Sequence, residues 1–158
     1  MSQKLGKELT QELLKRLNGH GVPAHEGKII PFFTLDEAGW PHPALLSYYE
    51  VVAKNSSAID IGIWKNSSTA NNIRRVPKVT LMVTDTGVNY YIKGSVTELE
   101  PEMKGLPQVS RFRIRTEELL EDQEANAAIT SGMTYSRGKQ RDATDVSAMV
   151  LQRLREEP

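Results

Sequence analysis

Residues 58–83 read AIDIGIWKNSSTANNIRRVPKVTLMV. An apolar strand pattern gives way to a turn rich in hydroxyls and amides. One or two turns of helix follow, stopped at Pro77, and a second strand begins. A short helix that opens on Ser, Thr and Asn presents free backbone N–H groups and hydroxyls at one point, a place suited to a phosphate. Ser67, Ser68 and Thr69 are the hydroxyl candidates, and Lys65, Arg74 and Arg75 are the cations close enough in sequence to assist. One hydroxyl serving as a helix cap is worth about 1 kcal/mol. Capping therefore accounts for one of the three.

Strand signals dominate around this segment. Lys28 to Leu35 is apolar and aromatic, Asp36-Glu37-Ala38-Gly39 is a turn, and Ala44 to Ala53 is the returning strand of a hairpin. Lys54-Asn55-Ser56-Ser57 turns the chain into the Ala58–Trp64 strand. Val79–Thr84 and Val88–Leu99 form a further hairpin around Asp85-Thr86-Gly87. Gly94 lies inside the latter strand, where a glycine marks a bulge or a close approach. Pro101–Pro107 is a connection. Gln108–Arg115 alternates, with Arg111, Arg113 and Arg115 on one face and Phe112 and Ile114 on the other; the chain then leaves the strand over Thr116–Asp122. The arginine stripe is a second anion candidate, or a solvated face paired with Glu117, Glu118 and Glu121. Ile129–Tyr135 is a short strand or an irregular packed loop.

Helices flank the strands. Leu5, Leu9, Leu13 and Leu17 recur every four residues, giving an amphipathic helix over 1–19 that Asn18-Gly19 ends. Residues 142–157 give a second, with Val146, Met149, Val150 and Leu154 on one side and Asp142, Thr144 and Asp145 near its start. The expected architecture is mainly β: a six-stranded antiparallel barrel over 28–122 with a helix at each end, forming one domain over 1–158. At this length roughly 70% of the unfolded surface is buried, so no staple is needed.

Composition excludes several chemistries. There is no cysteine, hence no disulfide, thiolate metal site or cysteine nucleophile. Lysine plus arginine equals aspartate plus glutamate at 20 each, leaving no net field to attract nucleic acid. The first residues lack the apolar core of a signal peptide, and no segment approaches ~20 consecutive apolar residues. A cytoplasmic protein with no membrane or nucleic-acid partner is the expectation. His20, His25 and His42 have no metal-ligand spacing, so no metal site is expected, and no catalytic triad is evident.

Several of these residues also form a family pattern: Phe32 to Leu35, Gly39, Pro41-His42, Ser47, Ser67, Asn72-Ile73-Arg74-Arg75, Pro77-Lys78-Val79-Thr80-Leu81 and Lys93-Gly94. Over roughly 28–98 the chain resembles the pyridoxamine 5′-phosphate oxidase-like FMN-binding split-barrel superfamily. The resemblance implies a homodimeric six-stranded split barrel with flavin mononucleotide (FMN) in a groove between subunits. It implies that Ser67 and Asn72 stand where the family holds the FMN phosphate, and that Ser47 lies near the flavin. Trp64 serves the ring, the subunit interface or the core. Many members carry Arg or Lys at the positions of Ser68 and Thr69; this chain has hydroxyls there. The candidate cofactor-binding set is Ser47, Trp64, Lys65, Ser67, Ser68, Thr69 and Asn72. The implied function is an FMN-dependent oxidoreductase acting on a small molecule, with a non-catalytic flavin or ligand sensor, or a ligand-free dimeric module, as the alternatives. A flavin carries its own redox chemistry, so the lack of a catalytic side-chain cluster fits an enzyme of this type.

Overall fold

In a computed structural model, which describes residues 1–136 and 145–158, eight antiparallel strands form one sheet. They are β1 (Ser2–Gly6), β2 (Ile29–Leu35), β3 (Pro41–Ser47), β4 (Val51–Asn55), β5 (Ala58–Trp64), β6 (Lys78–Asp85), β7 (Val88–Glu100) and β8 (Val109–Asp122). Three α-helices accompany them: α1 (Gln11–Leu17), α2 (Ser68–Arg75) and α3 (Val146–Arg155). The order across the sheet is β3-β2-β6-β7-β8-β5-β4, and β1 pairs with the far half of β8. The sheet curls into a split barrel whose two edges, β3 and β4, are consecutive in the chain.

The expected mainly-β split barrel is what the chain forms, with eight strands in place of six. Ala44–Ala53 is two strands, because Tyr48-Tyr49-Glu50 make a tight turn in which Glu50 N–H donates to Ser47 O at 3.1 Å. Both tyrosines are buried, so the turn lacks the polar signature of an exposed one. Residues 2–6 are the other extra strand. Leu5 shares the four-residue spacing of Leu9, Leu13 and Leu17, yet it lies exposed on β1 while the other three are buried. The helix begins only at Gln11, where Thr10 Oγ1 accepts from Leu13 N–H at 3.2 Å. β8 continues through Thr116–Asp122, which pair with β7 and β1. Ile129–Tyr135 is an irregular strap held by isolated bonds, such as Ile29 N–H to Met133 O. The helix expected over 142–157 runs from Val146 to Arg155; residues 142–144 lie outside the described residues.

Two apolar clusters hold these elements. Phe32, Ile59, Leu81, Ile92, Phe112 and Ile114 fill the barrel, and Leu9, Leu13 and Leu17 are packed into the same cluster. Burying each such side chain contributes about 1.5–3 kcal/mol. Outside the barrel wall, Val52, Met103, Leu106 and Val109 pack against Val150 and Leu154 of α3. Gly94 sits at a register shift between β7 and β8, and a Cβ there would lie 2.5 Å from Arg115 O. The bulge is therefore tied to a close backbone approach. The edge strand β3 carries Pro41 and Pro43, which lack N–H donors.

Candidate ligand cleft

The cleft lies where the barrel fails to close. β5 outruns its partner β4: pairing reaches Ile61 opposite Val51, and Gly62 N–H still reaches Glu50 O at 3.1 Å. Ile63 and Trp64 then continue beside β3 with a cavity of about 250 Å3 between them. Ala44, Leu45 and Leu46 line it from β3, Gly62, Ile63 and Trp64 from β5, Thr69 from α2, and Val146, Ser147 and Val150 from α3. Glu50 and Val109 complete the lining. Leu45 and Trp64 are exposed at 59% and 56%, an apolar pair at the mouth.

α2 begins at this mouth because Ser67 caps it. Ser67 Oγ accepts from Ala70 N–H at 3.1 Å and donates to Trp64 O at 2.8 Å. Its side chain is thereby spent on the helix. The N–H groups of Ser68 and Thr69, in the first turn, have no partner among the described residues. Ser68 is exposed, and Thr69 is 7% exposed with its side chain on the cavity. These two positions supply the donors that an anion at this helix end would meet.

The nearby cations point elsewhere. Lys65 Nζ pairs with Glu102 Oε1 at 2.5 Å. Arg74 bonds Glu98, Ser110 and Lys65 O on the opposite side of α2, and its guanidinium lies 5.6 Å from the Phe112 ring. Arg75 donates to Leu35 O and Asn72 Oδ1. Asn72 is buried, with its Nδ2 donating to Thr34 Oγ1 at 3.0 Å, so it fastens α2 to β2. Ser47 is a turn residue: its Oγ accepts from Tyr49 N–H at 3.3 Å, and its N–H donates to Glu50 Oε2 at 3.0 Å.

Of the seven residues singled out in the sequence, the structure brings Trp64 and Thr69 onto one cavity, with Ser68 exposed at the same helix end. Ser67 and Asn72 support that helix from behind. Lys65 and Ser47 are turned to other partners. Sequence reasoning missed Leu45, Gly62 and the α3 residues. Gly62 carried a readable signal, since a glycine inside a strand marks close approach. The arginine stripe resolves unequally: Arg111 is wholly buried on Asp60, Arg113 shares Asp60, and Arg115 pairs with Glu117.

A second, larger hollow of about 620 Å3 lies against β2, β6, β7 and β8. Phe33, Leu35 and Pro41 give it an apolar lining, flanked by Lys78 and Lys93 and by Glu117 and Glu118.

No protein-family model matches the chain. It is 30% identical over 125 residues to the uncharacterized protein YclD of Bacillus subtilis, across 79% of this chain and 81% of YclD. Solved structures share the fold at lower identity. A provisionally assigned pyridoxamine 5′-phosphate oxidase of Lactobacillus delbrueckii superposes with TM-score 0.59 at 16% identity, covering 74% of this chain and 98% of that one. An FMN-binding protein of Syntrophomonas wolfei gives 0.53 at 12%, covering 73% and 92%. HutZ, described as the heme storage protein of Vibrio cholerae, gives 0.51 at 13%, covering 71% and 93%.

Proposed function

Because this chain belongs to the same family as YclD and has the pyridoxamine 5′-phosphate oxidase-like split-barrel fold, we propose that it is a homodimeric flavoprotein that binds FMN in the β3–β5 cleft and serves as an oxidoreductase. The observation that carries this reading is the cleft mouth itself. A half-exposed indole, Trp64, stands three residues before a helix N-terminus whose first N–H groups are open. A flavin needs both surfaces, one apolar for the ring and one donor-rich for the phosphate.

The residues fit such a group, with one departure from a cation-lined site. Trp64 and Leu45 offer the ring an apolar contact. Ser68 and Thr69 offer the phosphate two backbone N–H groups and two hydroxyls, all neutral. A charge-assisted hydrogen bond is roughly twice as strong as a neutral one. With Lys65, Arg74 and Arg75 engaged elsewhere, the phosphate adds less to affinity here than in a cation-lined site. When bound, the flavin supplies hydride or electron transfer at its ring. The chain's part would be to hold the ring against Trp64 and Leu45 at the cleft mouth, within reach of a small-molecule substrate.

The homodimer is supported by the large hollow against β2, β6, β7 and β8. Phe33, Leu35 and Pro41 give it an apolar lining that a second copy related by a two-fold axis can cover, while on its rim Lys93 pairs with Glu118 and Glu117 with Arg115 within the chain. Heme is the poorer fit. The described linings of both cavities offer an iron no imidazole, thioether, thiolate or phenolate.

A visible spectrum of the purified protein tests the reading. Flavin bands, or their appearance on titration with FMN together with quenching of Trp64 emission, are the expected result. A colourless protein that takes up no FMN overturns it. Oxidation of NAD(P)H by the loaded protein separates enzyme from carrier, and light scattering reports the dimer.

A further inference from the structure

One wall of the cleft belongs to a helix that is anchored far from it. Val146, Ser147 and Val150 of α3 line the cavity. Val150 rests directly on β5, because a Cβ on Gly62 would come within 2.6 Å of Val150 Cγ1. The helix is seated by a different set of residues at its other end. Arg111 donates from Nη1 to Arg153 O at 3.1 Å, and from Nη2 to Leu154 O at 3.3 Å and Glu156 O at 2.8 Å. Lys54 Nζ donates to Leu154 O at 2.8 Å and Glu156 O at 3.2 Å. Two cations thus meet the negative end of the helix dipole. Arg111 has no exposed surface, and its charge is balanced by Asp60, equally buried, at 2.6 Å. Burying an arginine and an aspartate to hold a ten-residue surface helix is costly where an apolar seat would serve. The arrangement fixes a direction and a height that apolar packing alone leaves loose.

The cavity, about 250 Å3, falls below the range of roughly 300–1,000 Å3 in which small-molecule sites lie. β3 is fixed by ladder pairing to β2, and β5 by pairing to β8 along its length and to β4 as far as Ile61. α3 is the wall without such a ladder.

We propose that α3 is the adjustable wall of the cleft, and that Arg111 and Lys54 are positioning residues that set its height and so select the size of ligand admitted. The proposal rests on the cleft being the ligand site. Seated α3 presses Val150 toward Gly62 and narrows the space beside Trp64. A lifted α3 pivots on its clamped carboxyl end and deepens that space. Ser147, in the first turn, moves with the wall and offers its hydroxyl to whatever enters.

The test uses the full chain with Trp40→Phe, which leaves Trp64 as its single tryptophan. Lys54→Met weakens the clamp without unpairing Asp60, Arg111→Lys keeps the charge but loses the fork, and Val150→Ala lowers the wall directly. Three probes are titrated: lumiflavin, riboflavin and FMN. Hydrogen exchange in α3 and acrylamide quenching of Trp64 are read alongside. Lys54→Met or Arg111→Lys is expected to speed α3 exchange at least about tenfold, the effect of one charged hydrogen bond, since Lys54 makes two to the helix end and Arg111 three. The same variant should raise Trp64 quenching and shift the riboflavin-to-lumiflavin affinity ratio at least about threefold toward the larger ligand. Val150→Ala should shift the ratio in the same direction while both charged clamps on the carboxyl end of α3 stay in place. Faster α3 exchange with an unchanged ratio and unchanged quenching overturns the wall. Failure of both clamp variants to speed exchange overturns the positioning role. If the parent binds none of the three probes, the flavin reading fails. The wall then stands or falls on Trp64 quenching, which must still rise in Lys54→Met and in Val150→Ala.

Discussion

Asn72 Nδ2 lies 3.0 Å from Thr34 Oγ1, and both residues are buried. The Asn72 carbonyl is equally occupied, accepting from Arg75. Asn72→Ala removes this tie between α2 and β2 and leaves a buried hydroxyl one partner short. A loss of about 1–3 kcal/mol is expected from urea denaturation. In the fraction that remains folded, FMN affinity should change little, because the amide does not face the cleft.

Ser68 is the exposed position at the mouth of the helix. Ser68→Arg places a cation beside the open N–H groups. FMN affinity should rise about tenfold, with riboflavin and lumiflavin affinities unchanged. Isothermal titration with the three ligands reads this directly. Equal gains for all three would place the phosphate elsewhere.

Ser67→Ala removes the cap of α2 and should cost about 1 kcal/mol of stability. The hydroxyl points at Ala70 N–H and Trp64 O, so its removal also frees the end of β5. Trp64 emission should broaden in the variant even without ligand. A thermal melt and an emission spectrum check both expectations.

Acid should loosen the α1 end of the barrel in two stages. The His25 ring stacks on Tyr48 at 4.6 Å, with Lys28 Nζ 3.3 Å from its Nδ1. Burial first, then repulsion from Arg16 and Lys28, lowers its pKa from 6.5. The unfolded chain therefore takes up the proton more readily, and stability falls as pH drops below 6.5 toward the folded value. Asp85 follows. Burial raises its pKa, but bonds from Lys28 at 2.7 Å, Arg16 at 2.8 Å and the Thr86 N–H outweigh that and hold it well below 3.8. Its contribution is complete above 3.8 and is lost as pH falls through the depressed value. In denaturant titrations across this range, His25→Gln should flatten the upper slope and Asp85→Asn the lower one.

Gly94→Ala should lower the melting temperature through about 1–3 kcal/mol of overpacking. The new Cβ meets Ile114 Cγ2 at 2.4 Å and the Arg115 carbonyl at 2.5 Å. Backbone on a central strand pair has little room to yield.

The parts of this fold legible in the sequence were those with local punctuation. The 36–39 turn, the proline that ends α2, the Gly94 bulge and the alternation of Arg111 with Phe112 all follow from neighbouring residues. What escaped was set by distant ones. β1 exists because β8 outlasts β5, whose pairing ends at Arg115, and offers the edge beyond it; nothing within residues 2–6 distinguishes that strand from a helix turn carrying Leu5. The Tyr48–Tyr49 turn lacks the small polar residues that mark an exposed turn, since both rings are buried in the core. In the cleft, the hydroxyl turn was visible as a helix start. Which hydroxyl caps and which faces outward depends on the Trp64 carbonyl, and sequence does not position that. The wall contributed by α3 joins residues 62 and 150, a contact that no local pattern encodes.

Pro41 and Pro43 have a consequence for how copies of this chain meet. A free β-strand edge with regularly spaced donors is a template on which copies can stack without limit. β3 is such an edge, and it runs beside an exposed Leu45 and Trp64 that would favour stacking. With two donors deleted, the edge cannot register a continuous ladder with another strand. Sticky side chains are thereby kept on a strand that cannot seed a fibre, so adhesion at this place ends with one partner or one ligand.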